Sequence, residues 1–176
     1  IALYLEDSSP LSQRAVLALS EVLVSFEQQK SPLAFSIHQI AQDPERGAAP
    51  ASAAELEESR RRLCVQKQKP GKPLLAYLGC RASAQPEDSW QSCAGGKTSI
   101  DAVTISKCAD GAEGSKLLEA SRKRAREGEV TSGATFIVNE RATIRTIHAE
   151  ALKQAVCTAN PKLVGCDASL SSVLLK

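Results

Sequence analysis

The first forty residues carry one long helical pattern between two short apolar runs. Residues 2–6 are apolar and predict a buried strand. Ser9 and Pro10 follow as an N-cap and first-turn pair, and apolar residues then recur at helical spacing through about Gln28. Residues 33–40 alternate apolar with smaller or polar side chains, which predicts a second strand. This strand–helix–strand unit favours two parallel strands joined by a right-handed crossover.

The middle of the chain predicts helices only. Residues 42–52 are rich in proline, glycine and alanine, which is typical of a linker or exposed loop. Four helical segments are predicted after it, at residues 55–68, 72–81, 100–106 and 115–127. Together they predict a helical insert over about residues 50–128.

The last third returns to strands. Residues 134–138 form an apolar run, Asn139 and Glu140 are suited to a turn, and residues 142–146 form a second run. This spacing predicts a β-hairpin. Residues 148–158 predict a final helix.

The order of elements, β-α-β, a helical insert and then β-β-α, predicts an α/β fold. It is the order of a thioredoxin-like fold interrupted by a helical subdomain. A length of 176 residues fits one domain, so we expect residues 1–176 to fold as a single unit. No apolar run approaches the roughly 18 to 20 residues that span a bilayer, so no transmembrane segment is predicted.

The composition and net charge of the chain bear on which classes of partner it binds, but they do not identify one. Hydrophobic residues make up 43% and charged residues 24%, which indicates a globular chain. The 22 basic and 20 acidic residues leave a net charge of +2. This balance gives no reason to expect nucleic acid or an anionic membrane as the main partner.

The six cysteines are the strongest chemical signal. None forms a CxxC pair and only two histidines exist, so we expect neither a structural zinc site nor another cofactor. Three disulfides in an oxidising compartment are favoured over the alternative of six reduced, buried thiols. Six cysteines allow 15 connectivities. Local pairing is our preferred prediction: Cys93 with Cys108, Cys157 with Cys166 and, by elimination, Cys64 with Cys80.

Several stretches share the pattern of one family. They are residues 4–14 (Tyr-Leu-Glu-Asp-Ser-Ser-Pro-Leu-Ser-Gln-Arg), Trp90 with Cys93, Ile105 with Cys108, residues 136–139 (Phe-Ile-Val-Asn), the separation of Cys64 from Cys80, and the pair Cys157 and Cys166. These features resemble the gamma-interferon-inducible lysosomal thiol reductase (GILT) family. The resemblance implies a thioredoxin-like fold and, in active members, thiol–disulfide reductase chemistry.

The chain departs from that family at its redox site. The two cysteines of the family's CxxC fall on Ser9 and Ser12, and its cis-proline falls on Ala134, after Gly133. Serine forms no disulfide and is not appreciably ionised near neutral pH, so it cannot replace the redox thiols. A cis bond before a residue other than proline costs about 2.5 to 4 kcal/mol, so we expect a trans bond before Ala134. The family's Cys-Gln-His-Gly stretch before Cys64 is also missing.

Other signals favour structural roles. Capping is favoured over serine nucleophile catalysis at Ser9, because no His–Asp partner lies nearby in sequence. The basic runs 60–62 and 122–126 have acidic neighbours, which favours solvated helix faces over docking to an acidic partner. His38 and His148 are expected to be hydrogen-bonded structural residues rather than ligands.

Two main functional hypotheses remain, and a redox sensor that uses the remaining cysteines is a third alternative, which three fully formed bridges would exclude because they leave no free thiol. The first is a redox-inactive GILT-like protein that acts as a structural or interaction module, with protein partners and as an accessory subunit of a larger assembly. The alternative is a thiol–disulfide oxidoreductase whose nucleophilic and resolving cysteines have been replaced by Ser9 and Ser12. Either would reside in an oxidising space, such as the secretory pathway, a lysosome-like organelle or an intermembrane space.

Overall fold

The computed structural model describes residues 1–6, 9–40, 51–84 and 88–170. Within these ranges the elements are β1 (Ala2–Leu5), α1 (Pro10–Gln28), β2 (Ser36–Gln39), α2 (Ala53–Gln68), α3 (Lys72–Ser83), α4 (Ala102–Asp110), α5 (Ala112–Glu127), β3 (Thr135–Val138), β4 (Ala142–Arg145) and α6 (Ala149–Ala159). Two 3₁₀ turns, at Trp90–Cys93 and Gly96–Thr98, were not predicted. The predicted loop at residues 42–52 lies almost entirely outside the described residues.

The four strands form one mixed sheet in the order β2-β1-β3-β4. β1 and β2 are parallel, with Leu3 opposite Ile37, and β3 runs antiparallel to β1, with Phe136 opposite Leu3. β3 and β4 form an antiparallel hairpin. The predicted α/β class, the parallel pair and the hairpin are therefore confirmed.

Helix α1 forms where its sequence predicts. The Ser9 side chain accepts a hydrogen bond from the Ser12 backbone at 3.1 Å, and Pro10 occupies the first helical position. The apolar face of α1 is buried, and the helix packs against α3 and α6. Leu19 and Phe26 on this face are 0% exposed and join the core that contains Leu3, Ile37 and Phe136. Burial of one apolar side chain of this size contributes about 1.5 to 3 kcal/mol.

The outer edge of β2 is covered by side chains from the helical segment. Gln66 of α2 accepts from the Ile37 N–H and donates to the Ile37 carbonyl at 3.0 Å. Ser121 of α5 accepts from the Gln39 N–H at 2.7 Å. An edge strand otherwise presents unpaired backbone groups. These contacts fix α2 and α5 against the sheet, so the segment from α2 to α5 shares one core with it.

All six cysteines are paired, which confirms three disulfides, but two of the predicted pairings are wrong. The bond between Cys157 and Cys166 is confirmed. Cys93 does not pair with Cys108, nor Cys64 with Cys80; the observed bridges are Cys64–Cys108 and Cys80–Cys93.

Helix packing explains this correction. α2 packs side by side with α4, which brings Cys64 and Cys108 to a Cα–Cα distance of 6.0 Å across a sequence separation of 44. α3 contacts the 3₁₀ turn Trp90–Cys93, which places Cys80 and Cys93 at 5.7 Å. Both distances suit a disulfide. Cys80–Cys93, with a separation of 13, is more local than either wrong prediction, whereas Cys64–Cys108 depends on the packing of α2 against α4.

Candidate functional site

The positions that resemble a redox site meet around Glu6, just after β1. The Ser12 hydroxyl oxygen accepts the Glu6 N–H at 3.0 Å, and Ser12 is only 1% exposed. A Cβ on Gly133 would lie 2.7 Å from the Glu6 nitrogen, so only glycine fits this close approach. We call the group Glu6, Ser9, Ser12, Gly133 and Ala134 the serine corner. The structure thus brings the three sequence segments of the predicted site together.

Ala134, where the resemblance would place a proline, has an unusual backbone. Its φ is +56°, in the left-handed region, and the residue is 6% exposed. The peptide bond before it is trans, as expected. Because a proline ring holds φ near −65°, this backbone is incompatible with proline. A proline at position 134 would therefore require a different main-chain conformation.

The serine corner provides hydrogen-bond acceptors and no thiol. Ser9 is the N-cap of α1, and its oxygen accepts from the Ser12 backbone. Ser12 ties the first turn of α1 to the end of β1 through Glu6. Both contacts are structural, because each satisfies a backbone N–H. The position at which a helix N-terminus would stabilise a thiolate holds a capping hydroxyl instead.

A second cluster, which the sequence did not predict, lies in the helical segment. It consists of Glu58, Arg61, Arg62, Arg81 and Trp90, and we call it the Glu58 cluster. One carboxylate contacts three guanidinium groups: Arg61, Arg62 at 3.1 Å and Arg81 at 3.4 Å. The Arg61 guanidinium also lies 4.7 Å from the centre of the Trp90 ring, a cation–π distance.

Burial corrects one part of the sequence interpretation. The predicted i,i+4 pairs exist, as Arg61 with Glu57 and Arg62 with Glu58. Arg61 and Arg62 are only 7% and 8% exposed, however, so their helix face is not solvated. The spacing of acids and arginines was visible in the sequence, but the neighbouring surface that covers them was not.

Tyr77 lies close to the Glu58 cluster. It is 0% exposed, and its hydroxyl has no hydrogen-bond partner in the described part of the chain. Burial raises the pKa of Tyr77, and the negative charge of Glu58 adds to this effect. Tyr77 therefore remains a neutral phenol at any ordinary pH and is part of the hydrophobic core.

The sheet face opposite α1 carries an open groove of about 690 Å³. Tyr4 forms part of its floor, stacks on His38 with ring centres 4.8 Å apart, and lies near Arg124. Burial lowers the pKa of His38 to about 4, and the positive charge of Arg124 acts in the same direction. His38 Nε2 lies 3.3 Å from the Ser36 hydroxyl. The contacts agree with the structural role expected for His38.

His148 precedes α6 without capping it through its side chain. Within residues 1–6, 9–40, 51–84 and 88–170, the His, Cys, Asp and Glu side chains form no group of three that could hold a metal ion. Among the same residues, no helix combines the length and apolar character that a membrane crossing requires.

Comparisons with known proteins identify no relative of this chain. No family model, no curated protein and no solved structure matches the chain. Its three disulfides indicate an oxidising, secreted or lumenal environment.

Proposed function

We propose that this chain is a redox-inactive, thioredoxin-like protein of GILT type that acts by binding other proteins. The observation that carries the proposal is the serine corner. Ser12 is buried and hydrogen-bonded to Glu6, where the resemblance places a redox thiol. A reductase needs two thiols at this turn, and neither position 9 nor position 12 supplies one.

The sheet order supports the thioredoxin-like part of the proposal. A parallel β1–α1–β2 unit followed by the β3–β4 hairpin and α6 is the arrangement that the resemblance implies. The left-handed φ of Ala134 supports the loss of redox function. An exchange of two cysteines for serine in an active enzyme would leave its proline in place.

The mode of action follows from what remains after the redox site is lost. Three disulfides hold the scaffold, and no thiol is left among the six cysteines for catalysis. We infer a role as a structural or interaction module, and as an accessory subunit of a larger assembly. The compartment would be the secretory pathway, a lysosome-like organelle or an organellar intermembrane space.

The direct test is catalytic reduction of insulin disulfides by the full oxidised chain, with a small dithiol as reductant. We expect no turnover above that of the dithiol alone. The matched control is the Ser9→Cys/Ser12→Cys variant, which restores the two thiols at the N-terminus of α1. Turnover by the unaltered chain would contradict the proposal.

The genomic sequence separates the proposal from its alternative. Serine codons at positions 9 and 12 are expected if the redox site was lost naturally. Cysteine codons there would instead make the chain an oxidoreductase with both thiols replaced.

A native mass well above 18.7 kDa, in a complex of fixed stoichiometry, is expected for an accessory subunit. A solitary monomer in its native source would contradict that role.

A further inference from the structure

The three disulfides differ in their access to solvent. Cys64 and Cys108 are 0% and 6% exposed. Cys157 and Cys166 are partly buried. In the third bridge Cys80 is exposed, whereas its partner Cys93 is only 3% exposed. Exchange requires a thiolate to reach a sulfur atom, and the exposure of the cysteine residues ranks Cys80–Cys93 first.

The Cys80–Cys93 bridge also joins α3 to the turn that carries an aromatic ring. Cys80 lies in the last part of α3, and Cys93 ends the 3₁₀ turn that begins at Trp90. Trp90 lies over Arg61 of the Glu58 cluster, and it is the single tryptophan of the chain. The disulfide thus ties the turn that carries Trp90 to α3.

We propose that Cys80–Cys93 is a thiol-exchange site for low-molecular-weight thiols of the glutathione class. The thiolate attacks Sγ of Cys80, the Cys80–Cys93 bond breaks, and Cys93 leaves as a thiolate that takes up a proton. Cys80 then carries the external thiol as a mixed disulfide. A second thiol attacks the external sulfur, which leaves Cys80 as a thiol and forms one external disulfide. Two thiols are oxidised for each bridge reduced.

Opening this bridge removes the covalent tie on Trp90. The non-covalent ties that remain include the Arg61–Trp90 contact and a 3.3 Å hydrogen bond from Arg81 to the Asp88 carbonyl. The Arg81–Asp88 contact is exposed, and exposed contacts are weak individually. We therefore expect Trp90 to become more solvent-exposed in the reduced form. The inference does not use the serine corner and concerns the opening of one bridge, not catalytic reduction of a protein substrate. Its readout, peptide mass mapping of the six cysteines, is therefore separate from the insulin test of the proposed function.

The experiment exposes the full oxidised chain to graded concentrations of reduced glutathione, followed by alkylation and peptide mass mapping. We expect Cys80 and Cys93 to become alkylated at least about tenfold faster than Cys64 and Cys108. The glutathione adduct should appear on Cys80 rather than Cys93. Tryptophan emission should shift to longer wavelength at the same rate, because Trp90 is its only source.

The matched control is the Cys80→Ser/Cys93→Ser variant, whose emission should start at the shifted position and not respond to glutathione. Mass mapping of the unaltered chain decides the ranking even if this variant does not fold. Earlier opening of Cys157–Cys166, or equal rates at all three bridges, would overturn the proposal. An adduct on Cys93 would overturn the assigned point of attack. Opening without an emission shift would overturn the tie on Trp90.

Discussion

The sheet and the helical segment from α2 to α5 are stabilised by different kinds of interaction. In the sheet, Leu3, Ile37 and Phe136 are fully buried apolar residues that share one core with α1. In α2, by contrast, the buried residues include Arg61 and Arg62, held by the Glu58 carboxylate. Two of the three disulfides also lie in this helical segment.

The difference shows how a charge-rich helix can be kept in a folded position. A helix with few apolar residues gains little from burial, so its place must be fixed in other ways. Here a covalent bridge from Cys64 and the ion pairs of Glu58 supply the additional restraint. A buried charge is tolerated only while its partners are present. We therefore expect the helical segment to respond most strongly to the loss of a single charge.

The largest effect is expected for Glu58→Ala. This change removes the carboxylate that Arg61, Arg62 and Arg81 share, while Arg61 keeps its pair with Glu57. Loss of one member of a buried ionic cluster costs about 3 to 5 kcal/mol. The free energy of unfolding from denaturant titration of the oxidised protein measures it. Glu27→Ala is the control, because it breaks a solvent-exposed pair with Lys72 and should cost at most about 1 kcal/mol. Equal losses in the two variants would remove the contrast between the regions.

The buried disulfide provides the next test. Cys64→Ala/Cys108→Ala removes a disulfide that closes a loop of 44 residues, which should lower the free energy of unfolding by about 4 kcal/mol. Cys157→Ala/Cys166→Ala removes a disulfide that closes a loop of 9 residues, and the expected decrease in the free energy of unfolding is about 2.6 kcal/mol. Both are measured by denaturant titration under non-reducing conditions. A larger loss in the second variant would show that the helical segment does not depend on its bridge.

Acid sensitivity tests the sheet. His38 has its pKa lowered from 6.5 to about 4, so the folded state favours the neutral imidazole. Above pH 6.5 His38 is neutral in both the folded and the unfolded state, so its pKa shift costs no stability. As the pH falls towards 4, the unfolded state binds a proton that the folded state does not, which lowers the free energy of unfolding by at most about 3 kcal/mol. Unfolding titrations between pH 7 and pH 4 should show a smaller slope for His38→Gln. Identical slopes in the unaltered chain and in the variant would contradict this assignment.

The smallest effect is expected at the serine corner. Ala134→Pro should lower the melting temperature and cost more than about 1 kcal/mol, because proline cannot adopt the φ of +56°. Ala134→Gly is the matched change, since glycine accepts this φ, and it should stay within about 1 kcal/mol of the unaltered chain. If calorimetry shows that proline is tolerated as well as glycine, the corner is less constrained than its backbone indicates.

The predictable part of the fold follows from local patterns. Ser9 and Pro10 mark the start of α1, and the apolar repeat that follows carries it to Gln28, where the helix ends. The strand runs and the Asn139–Glu140 turn likewise contain their own signal. The Cys157–Cys166 pairing was predictable for the same reason, because its partners are only 9 residues apart.

The serine corner was only half predictable. The sequence shows Ser9, Ser12 and Ala134 at the positions of a resembling redox site. It does not show that the Ser12 oxygen accepts from Glu6, nor that Ala134 is left-handed. Those features depend on the approach of the 132–134 segment to the end of β1, which involves residues far apart in the chain.

By itself the sequence determined the α/β order of elements, the presence of three disulfides and the absence of thiols at positions 9 and 12. Only the tertiary structure decided that Cys64 pairs with Cys108, and that Arg61 and Arg62 are buried around Glu58. The physical reason is range. Periodicity and capping act within a few residues, whereas bridge partners and burial depend on which helix faces meet across the core.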